Sequence, residues 1–270
     1  MGKIEGDLAT ALQKLVQYFE SREVSFALVG ALVPALLLSP DKEKLSIGTR
    51  ETRDADHVVS LKSWGEWDRV LNDLEALGFR RGNRGQEHRL YFETAEIDLI
   101  PYGLQEGPDD VLVWRKSGNT MNLAGFSDVF KYAEKTEVAP GIRVPVIPLW
   151  LFAVLKVAAY SDRKLIRDVG DIVYVLANYE PLAKDSRRFD VIEDELRVEN
   201  AGAYLLGQDI RTNGSPVAQE LVKDFVKKID NEYHPLVTQA LQAEGTDAVH
   251  NDQRRYAVFE LLQAFQKGIG

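Results

Sequence analysis

The sequence predicts an α+β fold: a mixed-sheet domain over residues 1–147 followed by an all-helical domain over 148–270. Three observations carry this expectation. Short apolar runs bounded by Gly, Pro and charged turns recur through the first half, interleaved with helical spacings. From Pro148 onward apolar residues recur at three and four, and no strand signal of equal strength follows. Just before that change, Ala139-Pro140-Gly141 reads as a hairpin turn between two strands.

In chain order, Asp7 reads as an N-cap for a helix carrying Leu8, Leu12, Leu15, Val16 and Phe19 on one face. Val24–Val29 is a short buried strand. Gly30 ends it, and Ala31–Leu38 is helical, with Pro34 tolerated in the first turn. Residues 39–48 form a polar loop. Ala55–Ser60 is a strand, and Trp64–Leu77 is an amphipathic helix closed by Gly78. Phe79–Gly82, Arg89–Glu93 and Glu96–Ile100 follow as strands, with turn residues at Arg81-Gly82-Asn83-Arg84-Gly85 and a stop at Pro101 and Gly103. Val111–Trp114, Asp128–Thr136 and Ile142–Ile147 complete the strand set. In the second half, Leu149–Tyr160, Leu165–Ala177, Val217–Ile229 and Arg255–Phe265 are helical, with a weaker spacing at Phe189–Leu196.

Composition narrows the chemistry. With 45% hydrophobic and 28% charged residues over 270 positions, wholesale disorder is excluded and a full core is affordable. The absence of cysteine removes disulfides, thiolate zinc sites, Fe–S clusters and Cys nucleophiles. The four histidines, His57, His88, His234 and His250, lack metal-ligand spacing. Neither a Gly-x-Ser-x-Gly elbow nor a Walker A sequence occurs. A net charge of −9 restricts nucleic-acid binding to a local basic patch. The densest is Arg80, Arg81, Arg84, His88 and Arg89, which reads either as a hold on an RNA backbone or triphosphate tail or as solvated charges on a hairpin edge. The acidic start lacks a signal-type apolar region, and the longest apolar run, Phe26–Leu38, is too short for a bilayer, which takes about 20 residues. The expectation is a soluble, cytoplasmic protein with no membrane partner.

The most informative stretch is Asp54-Ala55-Asp56. Residues two apart on a strand share a face, so the two carboxylates project together and repel unless a cation lies between them. Hard oxygen donors of this kind suit Mg²⁺ or Mn²⁺. In Glu96-Ile97-Asp98-Leu99-Ile100, Asp98 stands on the polar face of a second strand. If that strand lies beside the first, three carboxylates can hold two metals roughly 3.5–4 Å apart, as in phosphoryl and nucleotidyl transfer. A solvated acidic turn and an edge-strand acid are the alternatives. Upstream, Gly30 at a strand–helix junction would let a phosphate approach backbone N–H groups closely. Lys156 stands within an apolar helix face (Leu151, Phe152, Val154, Leu155 and Val157), where an ammonium must snorkel or find an anion.

Together these residues resemble the nucleotidyltransferases of the DNA polymerase β-like superfamily, most closely the AbiEii-type toxin branch. The matching pattern is Gly30-Ala31 after a strand, Arg50-Glu51-Thr52-Arg53 before the acidic pair Asp54 and Asp56, Asp98 on a later strand, and a helical motif. That motif reads Lys156-Val157-Ala158-Ala159, then Arg163, then Arg167-Asp168-Val169-Gly170-Asp171. It covers residues 24–178; the remainder matches no family motif. Ala31 departs from the usual second Gly or Ser, so a hydroxyl contact to phosphate is absent. The resemblance implies that residues 1–147 form the nucleotidyltransferase domain and that the helical domain closes a nucleotide cleft. It implies that Asp54, Asp56 and Asp98 are catalytic metal ligands for Mg²⁺ or Mn²⁺. It implies that Gly30, Ala31, Arg50, Thr52, Lys156 and Arg163 meet an NTP, and that Asp168, ahead of Asp171, acts near the acceptor. The implied reaction moves an NMP to RNA, tRNA included, or to a protein, in a toxin-like enzyme with an antitoxin partner. A catalytically silent nucleotide-binding or protein-interaction module of the same fold is the alternative, and Ala31 gives it weight.

Overall fold

The computed structural model describes residues 4–38, 54–83, 85–104, 111–179, 187–191 and 196–270. The chain divides into two compact units. The first holds the described residues of Met1–Leu37 and Arg50–Pro148, the second those of Leu38–Thr49 and Leu149–Gly270. The first is a mixed sheet with helices and the second is helical, so the chain is α+β.

In the first unit the elements are α1 (Gly6–Ser21), β1 (Phe26–Val29), α2 (Leu32–Leu37), β2 (Asp54–Ser60), α3 (Trp64–Ala76), β3 (Arg80–Arg81), β4 (Arg89–Phe92) and β5 (Ala95–Tyr102). They are followed by β6 (Val111–Val113), β7 (Thr120–Asn122), α4 (Phe126–Tyr132), β8 (Glu134–Ala139) and β9 (Ile142–Val146). Seven strands form one sheet in the order β3-β4-β5-β2-β1-β9-β8, and β6 and β7 pair separately. β2 lies antiparallel to β1 and parallel to β5, while β4 and β5 form an antiparallel hairpin. β1 is buried along its whole length, as its continuous apolar sequence requires of a central strand. Leu12, Leu15 and Phe19 of α1 are fully buried, as are Leu28, Leu90, Ile97 and Leu99 of the sheet. The β8–β9 turn falls at Pro140-Gly141, as expected.

Three local expectations are corrected. Asp7 is not the N-cap of α1 but lies in its first turn, where its carboxylate accepts hydrogen bonds from the backbone N–H and hydroxyl of Thr94. Residues 128–136 are not one strand. α4 occupies the first part, because Phe126 and Val129 bury together at helical spacing after a left-handed Gly125. β5 runs through Pro101 to Tyr102. Its ladder with β4 ends at Asp98, so at Pro101 only β2 is a partner and a missing N–H is tolerated.

The second unit comprises α5 (Leu149–Arg163), α6 (Ile166–Asn178), α7 (Arg187–Asp190), α8 (Ala201–Asn213), α9 (Pro216–Val226), α10 (Pro235–Glu244), α11 (Thr246–Val249) and α12 (Asp252–Ile269), with a 3-10 turn at Val198–Asn200. Leu149–Val154 is buried on all sides of α5, the mark of a central helix. Sequence reading missed α8 and α10. α8 carries Gly202 and Gly207, which weaken a helical signal, yet they permit its packing. A Cβ on Gly207 would stand 2.6 Å from the Phe265 carbonyl oxygen, and one on Gly268 of α12 would stand 2.1 Å from that of Tyr204. The two helix backbones meet where neither has a side chain. No described helix is long and apolar enough to cross a membrane.

Candidate functional site

The sheet positions four acids on one face of the first unit. β2 projects Asp54 and Asp56 to one side and buries Ala55 and His57 on the other. In the parallel register with β5, Asp54 stands opposite Glu96 and Asp56 opposite Asp98. Partners in adjacent strands point to the same face, so the four carboxylates form two neighbouring rows.

Gly30 packs directly against this face. Its φ of 75° is the left-handed conformation that glycine tolerates, and Val29 pairs with Asp56 in the β1–β2 ladder. A Cβ placed on Gly30 would lie 1.8 Å from Asp56 Oδ2. The space that the absent side chain leaves is thus filled by the Asp56 carboxylate. α2 has only six residues, so it contributes little macrodipole at Ala31.

Arg89 of β4 extends the row. It stands opposite Asp98 across the hairpin. Its Nε donates to Asp98 Oδ1 and its Nη2 to Oδ2, both at 2.8 Å, while Nη1 lies 2.6 Å from Glu96 Oε2. The Asp98 hydrogen bond raises the guanidinium pKa further above its already high ordinary value. His88 Nε2 is 3.7 Å from Asp98 Oδ2, and the His88 ring tilts against Trp114. Sequence reading had placed Arg89 in a basic cluster and missed this pairing. The register comes from a two-residue turn at Glu93-Thr94, with Phe92 opposite Ala95 and hence Arg89 opposite Asp98, and those turn residues are not a common hairpin signal.

His57 lies on the opposite face, as the alternation predicts. It is fully buried, and neither ring nitrogen makes a hydrogen bond. Desolvation pushes its pKa down to about 4, opposed by the backbone at Ala55, so the ring is neutral at pH 7.

Arg50 and Thr52 lie outside the described residues. The remaining predicted residues belong to the second unit, where they form their own network. Arg163 at the end of α5 holds Asp168 of α6 with Nε at 2.7 Å and Nη2 at 2.6 Å. Lys156 Nζ is 2.7 Å from Asp171 Oδ2, 3.7 Å from Asp168 Oδ1 and 5.5 Å from the centre of the Phe152 ring. Asp168 is wholly buried in the first turn of α6, where the helix dipole also favours a carboxylate. Two cations thus meet two acids.

Among the described residues, no group of three or more His, Asp or Glu side chains is set to hold a metal ion. Asp54 and Asp56 are hard oxygen donors on one strand face, the donor type that suits Mg²⁺ or Mn²⁺. Mg²⁺ commonly takes one or two carboxylates and completes its shell with water and substrate phosphate. Asp98 has both oxygens on Arg89.

No protein-family model matches the chain, and no curated protein matches it. Among solved structures, the chain is similar to the crystal structure of an antigenic nucleotidyltransferase-like protein from Paracoccidioides brasiliensis. The identity is 16% and the TM-score 0.45, over 90% of this chain and 96% of that one. It is also similar to the solution structure of the antibiotic-resistance factor ANT(2'')-Ia, at 12% identity and a TM-score of 0.38, over 82% of this chain and 92% of that one.

Proposed function

We propose that this protein is a metal-dependent nucleotidyltransferase that moves an NMP from an NTP to an RNA, tRNA included, or to a protein. The observation that carries the reading is the register that sets Asp54 and Asp56 beside Glu96 and Asp98 on one face, against the Gly30 turn. Asp54 and Asp56 would hold Mg²⁺ or Mn²⁺. When bound, the cation would supply charge neutralisation for the α-phosphate and the departing pyrophosphate. Gly30 seats the Asp56 carboxylate. Asp98 is proposed on the resemblance as the third ligand, and with both oxygens on Arg89 it would reach the cation by giving up one of those donors. Arg50 and Thr52 are proposed phosphate contacts on the resemblance alone.

The AbiEii-type resemblance adds a toxin-like role and an antitoxin partner to this proposal. Lys156, Arg163, Asp168 and Asp171 are proposed for the nucleotide and acceptor on the same resemblance, although each is already paired within its own unit. A second reading, a silent nucleotide-binding module, is favoured by one observation: Arg89 engages both oxygens of Asp98.

The experiment is incubation of the protein with Mg²⁺, total RNA and each α-labelled NTP in turn, with Asp54→Asn as the blank. Label in RNA or protein with stoichiometric pyrophosphate, absent from the blank, is expected. NTP binding without pyrophosphate release selects the silent module, and no nucleotide binding removes both readings.

A further inference from the structure

We propose that the first unit carries a second ligand site, remote from the acidic face, that takes the phosphate group of a small-molecule phosphate monoester between Lys62 and Arg69. The site is a recess of about 430 Å³ enclosed by the end of α1, the residues entering β1, the end of β2 and one face of α3. Small-molecule pockets commonly measure roughly 300–1,000 Å³, so the recess has room for the ester group beyond the phosphate. Its walls all belong to the first unit. Ser60, on its rim, ends the strand that Asp54 begins, which sets the two sites about 20 Å apart at a rise of roughly 3.3 Å per residue.

α3 presents Glu66, Arg69, Val70 and Asp73 to the recess at helical spacing. Two of its acids are engaged. Asp73 Oδ2 accepts from the Tyr18 hydroxyl at 3.0 Å and lies 3.1 Å from Arg22 Nη2. Burial and the Asp73 carboxylate push Tyr18 up to about 12, so its hydroxyl stays a donor. Glu66 Oε2 accepts the Lys62 backbone N–H at 2.7 Å. The main chain closes on itself, with the Ser60 N–H on the Ser25 carbonyl and the Leu61 N–H on that of Tyr102. Left over are the Lys62 ammonium, the Arg69 guanidinium and the Ser25 and Ser60 hydroxyls. Among the described residues these four groups make no hydrogen bond or ion pair. Two cations and two hydroxyls around one recess suit an anion of several oxygens. A phosphate monoester offers three and carries roughly −1.5 to −2 at pH 7, whereas a carboxylate offers two oxygens and one charge. A guanidinium fork beside an ammonium point charge is a phosphate-binding combination. Glu23, Glu66 and Asp73 on the same recess repel further phosphates, which favours a monoester over a di- or triphosphate.

The test is an amide chemical-shift titration of the full chain with inorganic phosphate, glucose 6-phosphate and glucose. Both phosphates are expected to shift Ser25, Ser60, Lys62 and Arg69 saturably, the ester binding more tightly, and glucose is expected to shift none of them. Lys62→Gln and Arg69→Gln change exposed side chains, so the fold is expected to persist. Each should weaken glucose 6-phosphate about fivefold, the upper end for an exposed ion pair. Arg80→Gln, a cation of β3 outside the recess, should leave the affinity unchanged, as should Asp54→Asn. Inorganic phosphate binding as tightly as glucose 6-phosphate would overturn the ester ligand. Shifts absent with both phosphates, or an Arg80→Gln loss equal to that of Lys62→Gln, would overturn the site. Shifts confined to Gly30 and Asp54 would place the phosphate at the acidic face and overturn it likewise.

Discussion

The two ion networks of this molecule use the same residue types to different ends. On α5 and α6, two cations meet two acids, and the wholly buried Asp168 has a guanidinium clasping it from one side and an ammonium nearby. On β4 and β5, one guanidinium meets two acids, Glu96 and Asp98, which stand beside Asp54 and Asp56 of β2. A balanced network satisfies itself and holds two helices in register. On the sheet the guanidinium ion-pairs with the two acids of β5, and strand register sets the two acids of β2 beside them. Charged residues of one motif can therefore close on each other between two helices or stand in rows fixed by strand register.

The comparison breaks first at Asp168. Removing one partner from a buried pair leaves the other uncompensated, so Asp168→Ala is expected to lose about 3 kcal/mol by urea denaturation, the low end for buried pairs because Arg163 is part-exposed. A variant as stable as wild type would mean that the network does not hold α5 to α6.

His57 provides a control on the same sheet without ionic pairing. Its folded pKa of about 4 lies below the unfolded value of 6.5, so between these the unfolded chain binds the extra proton. The contribution to stability is complete above pH 6.5 and lost as pH falls from 6.5 toward 4, by about 2–3 kcal/mol. Chemical denaturation across that window should show the slope in wild type and a flattened one in His57→Phe. Equal slopes would place the acid sensitivity elsewhere.

Gly30→Ala probes the acidic face through its packing. A side chain at φ 75° costs about 1–2 kcal/mol, and the new Cβ must push Asp56 aside. Melting temperature and Mn²⁺ affinity should fall together; a fall in stability with Mn²⁺ affinity intact would detach Gly30 from the role of seating Asp56.

Lys156→Ala and Asp54→Asn sharpen the contrast with the smallest changes in stability. The first is expected to lose about 1 kcal/mol of stability and, as the resemblance implies, about 1.5–3 kcal/mol of triphosphate affinity, measured calorimetrically. An affinity within about twofold of wild type would leave Lys156 as a partner of Asp171 and Asp168 alone. Asp54→Asn is expected to leave stability level or raised by about 0.5 kcal/mol, because it relieves repulsion with Asp56, while Mn²⁺ binding is lost. A large drop in stability would make Asp54 structural.

Much of the face was legible residue by residue. Strand alternation put Asp54 with Asp56 and turned His57 away, and the structure agrees. The same rule grouped Glu96 with Asp98. Arg89 was visible only as one of several basic residues, because its meaning depends on the Glu93-Thr94 turn, whose residues do not spell out a common hairpin signal. Lys156 was legible as an ammonium in an apolar helix that needs an anion. The identity of that anion was not, since Asp171 reaches it only because α6 packs back along α5. The strand expected over 128–136 holds only from Glu134, because Phe126 and Val129, three apart, bury together on one side of a helix before it.

Local periodicity, by itself, determined that the first half makes strands with acids on single faces and that the second half is helical. These properties depend on neighbours a few residues apart, and a period of two or of 3.6 expresses them directly. Only the tertiary structure decided that β2 pairs parallel with β5, that Asp56 falls opposite Asp98 rather than one residue off, and that its carboxylate fills the space over Gly30. Register between strands some forty residues apart is set by which faces bury together over the whole sheet, and a one-residue slip would have turned every acid of one strand to the other side.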